Sequence, residues 1–577
     1  MFKENTEHDQ IKLISFLTSL PKGVLKTIEA SWAKPFYKYV FRKIDESKFK
    51  PLYSDKGSRP NKPANILVGL EVIKQLFNYS DEELIESFHT DLRTMYALGL
   101  TDPGDVSIAI RTIYYFRERL VTYDNENNTS LIKEVLKDIT LDLSNDFGID
   151  LNIQRMDSSL IEANIKALTR LNLFARIIYN FLKILPKEEL MVLPEELISL
   201  SSLENLDISY RLKNQEVEER LKCFGEYCYL LYEKYKDNSV YNTTKEFLDL
   251  ARLLKEQINI SGGDSPKIEL KLPKEISSSS IQNPSDSDAT YRFKDGNHKG
   301  YVGNFAESCS TENAFQLITE AEVKPNNTSD QELLISSLLD DNSLVKEASD
   351  LLTDGAYLGK AGEDLCSVYD LDLHVSAIKG PKSDKNNQNL ADVTITNNVV
   401  EKCPAGKKPF KQKYDSVKKN YSGRFRKEDC LSCPFLEECF VNEQKNCYTY
   451  FFREREYYVK KRKKKLKDSS YREFLKLRAG AESMVYMMFF KSGKRTKFRG
   501  LARVKNAIIF RAIGVNLLRL RHYIIDMNRN IKDNSVIFYF EKIFSEYYRF
   551  FIEILKFIKI YFIREYFSNK YFSYHAF

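Results

Sequence analysis

Over residues 65–120 apolar side chains recur every three or four positions. Ile66, Leu67, Leu70, Ile73, Leu76 and Phe77 fall on one helical face. Ser80 followed by Glu83 has the form of a capping box and starts a second helix. Asp102-Pro103-Gly104-Asp105 reads as a turn, after which Ser107 is expected to cap a third helix running toward Arg117 and Leu120. At residue 151 the pattern changes to alternation. Leu151, Ile153, Arg155 and Asp157 then share one face of a strand that ends at Asp157. Helical spacing returns over residues 167–260, with Leu173, Ile177 and Phe181 and later Leu221, Leu231 and Leu250. A Ser-, Pro- and Gly-rich passage, residues 261–290, reads as a linker. The helical block is therefore expected to be an insertion between strands.

Strand patterns resume at residues 301–308 and 314–323, and a helix is expected over 331–339. The apolar run Leu351-Leu352-Thr353 then meets Asp354, where Gly355 permits a sharp turn, and residues 371–378 are a further strand. In residues 536–563 a narrow polar stripe, Lys542, Glu546, Arg549, Glu553, Lys556 and Lys559, crosses an otherwise aromatic and aliphatic helix. Such a helix calls for packing against its own protein or a second subunit, in preference to a membrane surface.

A chain of 577 residues is too long for one core and implies two to four structural units. No charged-then-apolar leader and no run of eighteen apolar residues is found, so a cytoplasmic protein without a membrane span is expected. The net charge of +7 hides a strong polarity. Residues 453–521 hold 22 Lys and Arg against five Asp and Glu, which leaves the remainder acidic. The surplus runs through Lys491, Lys494, Arg495, Lys497, Arg499 and Arg503, and it suggests a polyphosphate partner, most simply DNA or RNA. Five of the nine cysteines fall within residues 403–447. Cys430-x2-Cys433-x5-Cys439, with Cys403 upstream, supplies four thiolates suited to tetrahedral Zn²⁺ in a structural role. Packed free thiols and an iron–sulfur cluster are the alternatives, and Cys447 is a possible substitute ligand.

Asp157, Asp354 and Glu482 stand where two strands and a helix could bring three carboxylates together. Two unit charges near 4 Å repel by roughly 4 kcal/mol at an effective dielectric of about 20, so a converging trio needs cations. Mg²⁺ or Mn²⁺ suits such oxygen ligands, and a pair of these ions can drive in-line displacement at a phosphodiester. Taken singly, each residue has a plainer reading: a strand-end or turn carboxylate, or for Glu482 an i,i+4 partner of Arg478. Other chemistries lack a foothold, since the six histidines form no HExxH pair and no GxxxxGK[ST] loop exists.

The local sequence around these residues resembles the DDE transposases of bacterial insertion sequences, in the branch with a cysteine-rich insertion. The resemblance starts at Leu76-Phe77-Asn78-Tyr79-Ser80-Asp81-Glu82-Glu83-Leu84, returns at Asp157-Ser158-Ser159-Leu160-Ile161-Glu162-Ala163-Asn164 and at Asp354-Gly355-Ala356-Tyr357, and is most specific over residues 478–520. There Arg478-x3-Glu482, Phe498-Arg499-Gly500-Leu501 and Asn516-Leu517-Leu518-Arg519-Leu520 follow in order. Related enzymes keep a Tyr before the Arg and a Lys after the Glu, where this chain has Leu475 and Phe489.

The resemblance implies a mixed α/β protein with a ribonuclease-H-like core, in which Asp157, Asp354 and Glu482 hold Mg²⁺ (or Mn²⁺) and Arg478 assists nearby. It supports Cys403, Cys430, Cys433 and Cys439 as the zinc set. It further implies DNA as partner, both terminal inverted repeats and target, handled by a dimer or larger synaptic complex in the bacterial nucleoid. A transposase-derived DNA-binding regulator without catalysis is the competing expectation. The expected domains are a helical, DNA-binding unit (1–135), a catalytic core (136–400 and 448–530) interrupted by a helical insertion and linker (168–287), a zinc-binding insert (401–447) and a C-terminal amphipathic helix (531–577).

Overall fold

The computed structural model describes residues 1–10, 15–54, 56, 60–202, 207–209, 212–262, 266–377, 390–396 and 398–533. It shows a mixed α/β protein. Two compact units are distinguished, residues 1–516 and 517–577; of the second, only a helical stretch to residue 533 is described. The aromatic pattern at 536–563 lies outside the described residues. Among those residues, no helix is long and apolar enough to cross a membrane.

Helix α1 (Ala64–Phe77) is buried on every side up to Leu76 and stops at Asn78, whose φ of 57° is the left-handed conformation common at helix ends. The next helix, Asp81–Thr90, starts with the expected capping box between Ser80 and Glu83. Helix α2 (Ile110–Asn127) begins later than the sequence pattern indicates, after Ala109, and Ser107 does not cap it. Ile108 is buried in the core, which draws the chain before the helix into the interior. Arg117 on α2 pairs with buried Glu71 of α1 at 2.7 Å and with Asp81 at 2.6 Å, while Lys74 meets Asp81 at 2.7 Å. This network ties three helices together where apolar burial alone would leave Glu71 a costly isolated charge. Helix α3 (Leu131–Phe147) then leads to the sheet.

Strand β1 (Ile153–Glu162) continues past Asp157 and does not end there. Its antiparallel pairing with β2 (Asn297–Ser308) extends from Gln154↔Ser308 to Glu162↔Gly300. Strand β3 (Ile318–Pro325) pairs antiparallel with β2 and is followed by helix α4 (Asp330–Leu339). On the other side of β1, strand β4 (Asp350–Thr353) pairs in parallel only from Ile153↔Asp350 to Arg155↔Leu352. Strand β5 (Asp372–Val375) is parallel to β4, giving the order β3-β2-β1-β4-β5, with the short strand Thr290–Phe293 beside the first residues of β2. Met156, Val302, Ala306 and Leu351 from the sheet and Leu333 and Leu334 from α4 form the core beneath.

The helical block between β1 and β2 has its own core. Helices Arg170–Leu182, Asn214–Tyr235 and Lys245–Gln257 close around Phe174, Phe181, Leu231 and Leu250. The passage expected to be a linker is instead partly ordered against it. Lys267–Leu270 pairs with Ile258–Ser261, Ile281 is buried, and Asp286 accepts from the Tyr301 hydroxyl at 2.5 Å. Short polar side chains satisfied locally explain why its composition reads as loop while its backbone stays packed. Further on, strands Lys411–Asp415, Asn420–Arg426 and Cys447–Arg453 make a small antiparallel sheet over Phe425, Phe440, Tyr450 and Phe452. Helices α5 (Ala481–Phe489) and α6 (Leu501–Asp533) complete the described chain.

Candidate active site

The two neighbouring strands β1 and β4 place Asp157 and Asp354 beside each other. Their parallel register, Arg155 opposite Leu352, stops two residues short of both carboxylates, and antiparallel pairing on the far side keeps Asp157 fixed. Asp354 caps the short turn Gly355–Tyr357 by accepting from the Ala356 amide at 2.8 Å. The Asp157 carboxyl is pushed up from its ordinary value, first by burial and further by Asp354 and Asp330, with Arg478 and the Ser158 amide opposing. Asp330, the first residue of α4, accepts from the Ser158 hydroxyl at 2.7 Å. Tyr357 sits among the same three carboxylates and donates to Asn304 at 2.7 Å; burial, then these charges, raise its hydroxyl well above the usual range.

Glu482 lies in the first turn of α5, on the exposed side. The opposite side of α5, with Met484 and Met488 buried, packs on β1. The short 3-10 segment Lys476–Gly480 delivers the chain to this helix. Its Arg478 turns to Asp157, with Nη2 3.7 Å from Oδ2, in place of the i,i+4 pairing with Glu482 that a regular helix would allow. Arg155, two residues before Asp157, pairs with Glu307 at 2.6 Å and donates from Nη1 to the Leu477 carbonyl at 2.6 Å. The sequence pattern assigns no role to Arg155, Asp330 or Tyr357. Alternation does place Arg155 on the face of Asp157, whereas Asp330 looks like an ordinary first-turn acid behind the Ser329–Glu332 capping box.

The basic segment after α5 docks onto the end of β1. The Glu162 amide donates to the Lys494 carbonyl and the Thr496 amide to the Glu162 carbonyl, both at 2.9 Å. Lys491, Lys494, Arg495, Lys497, Arg499 and Arg503 are all exposed along it. Several also hold the fold: Arg495 donates to the Ile165 carbonyl, Lys497 to that of Asn78, Arg499 to that of Asn164, and Arg503 pairs with Glu118 at 2.5 Å. The Asp286 and Asp288 carboxylates accept from the Gly500 and Leu501 amides, so the former "linker" seats the start of α6.

Cys403, Cys430, Cys433 and Cys439 line one cavity with Phe425 and Tyr450. Tight turns carry two of them: the Cys433 amide donates to the Cys430 carbonyl and the Gly406 amide to that of Cys403. The Cys430 thiol is pushed up to about 12 by burial and then by the other three sulfurs. Cys447 is buried apart, its Sγ 3.7 Å from Gln444 Oε1, and does not line the cavity. Among the described residues, the group whose ligand atoms lie within 4.8 Å of one another is a different one, Asp350, Asp372 and His374. His374 is already engaged there, with Asp350 at 2.7 Å and the Tyr471 hydroxyl at 3.1 Å.

Residues 402–521 match the family model described as a transposase DDE domain, and residues 29–119 match a second, described as a transposase domain of the DUF772 group. The first match takes in the cysteine module, Arg478, Glu482 and the basic segment; the second takes in α1 and the Arg117 network. Neither the curated proteins nor the solved structures contain a match.

Proposed function

Taking the chain as a DDE transposase of the insertion-sequence type, as the two matched transposase domains indicate, we propose that it binds the terminal inverted repeats of a DNA element and cleaves and joins DNA strands. The sheet order, three antiparallel strands followed by two parallel ones, supports a ribonuclease-H-like catalytic core. One observation carries the reading: Asp157 and Asp354 stand side by side on neighbouring strands, and Asp157 is penalised for its charge by burial and by nearby carboxylates. Such a site fits a divalent cation, because its charge is unbalanced without one. Asp157, Asp354 and Glu482 would hold Mg²⁺ or Mn²⁺, which when bound supplies activation of a water or 3′-hydroxyl and charge neutralisation at the phosphodiester.

The protein's own groups then have defined tasks. Asp157 and Asp354 fix one end of the site on the rigid sheet. Arg478, 3.7 Å from Asp157, offers a guanidinium to the strand being cut. The exposed cations from Lys491 to Arg503 hold the phosphate backbone beside it, as phosphate contacts position a duplex without reading its sequence. The four cysteines fit zinc: each is a thiol, they share a cavity, and burial with the neighbouring sulfurs pushes the Cys430 and Cys439 thiols up, which a bound cation would offset. Zinc would staple the insert. The enzyme would act in the bacterial cytoplasm, on nucleoid DNA, as a dimer or larger assembly that joins two element ends.

The test is cleavage of labelled element-end DNA with Mg²⁺ by the purified protein and by Asp157→Asn, Asp354→Asn and Glu482→Gln. Each substitution should lower the rate by about a thousandfold or more, in line with removing a group that acts only in the transition state. Cleavage that persists in all three would sink the mechanism. Tight end-binding without cleavage by the unaltered protein would point to a regulator.

A further inference from the structure

We infer that Arg155 is a positioning residue that sets the third carboxylate against the first. The inference rests on the reading of Asp157, Asp354 and Glu482 as a cation site. Arg155 stands two residues before Asp157 on β1, so its side chain leaves the same face of the sheet. Its guanidinium is held from behind by Glu307, a side chain with no exposed surface directly across the β1–β2 pairing. From that anchored position Nη1 grips the Leu477 carbonyl, in the 3-10 segment that ends at Gly480. The guanidinium lies against Gly480, so close that a Cβ added there would overlap its atoms. Gly480 has φ −70° and ψ −9°, a conformation open to any residue, so the glycine answers to the neighbouring guanidinium and not to backbone strain.

Two residues beyond Gly480 is Glu482. The segment is thus attached to β1 at two points, by Arg155 through a main-chain carbonyl and by Arg478 through Asp157 itself. The segment is a five-residue 3-10 stretch, and so short a piece takes its place from the groups that hold it. An arginine suits this task because the planar fork serves Glu307 and the carbonyl at once, which a lysine ammonium on its flexible stem cannot do with the same geometry. Arg155 therefore sets where α5 begins, and with it how near Glu482 comes to Asp157.

The experiment is Mn²⁺ binding to the full-length protein without DNA, followed by electron paramagnetic resonance, alongside thermal unfolding. Asp157→Asn and Glu482→Gln should each weaken Mn²⁺ binding. Arg155→Gln and Gly480→Ala should weaken it by about 10–100-fold, the usual cost of losing an outer-shell support. The Arg155→Gln effect should largely vanish in a Glu482→Gln background, because the two act on one interaction. Arg155→Lys should fall between. A merely structural role for Arg155 would lower the unfolding midpoint and leave Mn²⁺ affinity at the wild-type level in both Arg155→Gln and Gly480→Ala, and that result overturns the proposal. Should Arg155→Gln fail to fold, Gly480→Ala and Arg155→Lys still decide it. If Asp157→Asn also binds Mn²⁺ normally, the cation site itself is wrong and the positioning role falls with it.

Discussion

Around Asp157 the chain is held by charges that meet from distant stretches of sequence. Arg155 joins Glu307 and Leu477, and Lys133 of α3, itself buried, pairs with buried Glu320 of β3 at 2.5 Å and with half-buried Asp340 after α4 at 2.7 Å. The cysteine module is built from near neighbours instead: Phe440 stacks on Tyr450 at 4.2 Å, Phe425 tilts against it at 4.8 Å, and its four lining cysteines come from residues 403–439. The first region needs the whole core folded before its charges have partners. The second would order locally if its thiols take up the proposed zinc. The two should therefore fail independently, and each can be broken without the other.

The largest effect is expected in the module. Cys430→Ser with Cys433→Ser removes two of four thiols, and structural zinc sites in small domains supply about 10–16 kcal/mol of apparent binding energy near neutral pH. Metal analysis should show zinc lost, and limited proteolysis should cut within residues 399–453 while the unfolding midpoint of the core stays put. Zinc retained in full by this variant would refute the ligand set. Next in size is Lys133→Met, which leaves Glu320 buried without its cation. Removing one partner of a buried pair costs about 3–5 kcal/mol. Urea unfolding should show this loss, and Glu320→Gln added to Lys133→Met should recover part of it. A loss below about 1 kcal/mol would mean that the buried pair carries no weight in the core.

These two regions also differ in how far they can be read from sequence. Helix α1, the Ser80–Glu83 cap, β2 and α4 follow from local periodicity and capping, so their positions agree with the pattern to within a few residues. The cysteine cavity is equally local, since Cys430-x2-Cys433 implies a turn whichever way the rest folds. By contrast, nothing in the spacing around residue 155 says that its guanidinium meets Leu477, because 322 residues separate the two. The extension of β1 past Asp157 was hidden for a similar reason: Ser158 and Ser159 look like a strand end until β2 supplies an antiparallel partner. In the 261–290 passage, polar composition concealed Asp286, whose buried carboxylate serves Tyr301 and Gly500, both elsewhere in the chain. Local rules captured the elements, and long-range charge made the site.

A third variant probes a buried carboxyl on the charged side. Asp124 on α2 accepts from the Leu131 amide at 3.1 Å and is pushed up to about 6, chiefly by burial, with Lys505 pulling the other way. Its folded value lies above the ordinary 3.8, so the folded state holds the proton more tightly. The contribution is complete below about pH 4 and is lost as pH rises through about 6. Asp124→Asn keeps the acceptor oxygen and removes the charge. It should stabilise the protein by about 3 kcal/mol at pH 8 and change little at pH 4, as read by urea midpoints at the two pH values. Equal effects at both would mean that the carboxyl titrates normally.

The smallest effect tests whether the module's aromatic wall matters to its thiols. The Tyr450 hydroxyl lies 3.2 Å from Cys439 Sγ, and its own proton is held well above the ordinary range by burial and then by that cysteine. With the proposed zinc bound, a hydroxyl so placed would donate to the thiolate and steady it, as outer-shell donors do. Tyr450→Phe keeps the ring, and with it the stacking on Phe440 and the contact with Phe425. Only the donor is lost. Zinc should then pass to a chelator about tenfold faster, equivalent to about 1.4 kcal/mol, while Mn²⁺ binding at the proposed carboxylate site is unchanged. A change in Mn²⁺ affinity of the same size would show that the two regions are coupled after all, and that the independence argued from their different construction does not hold.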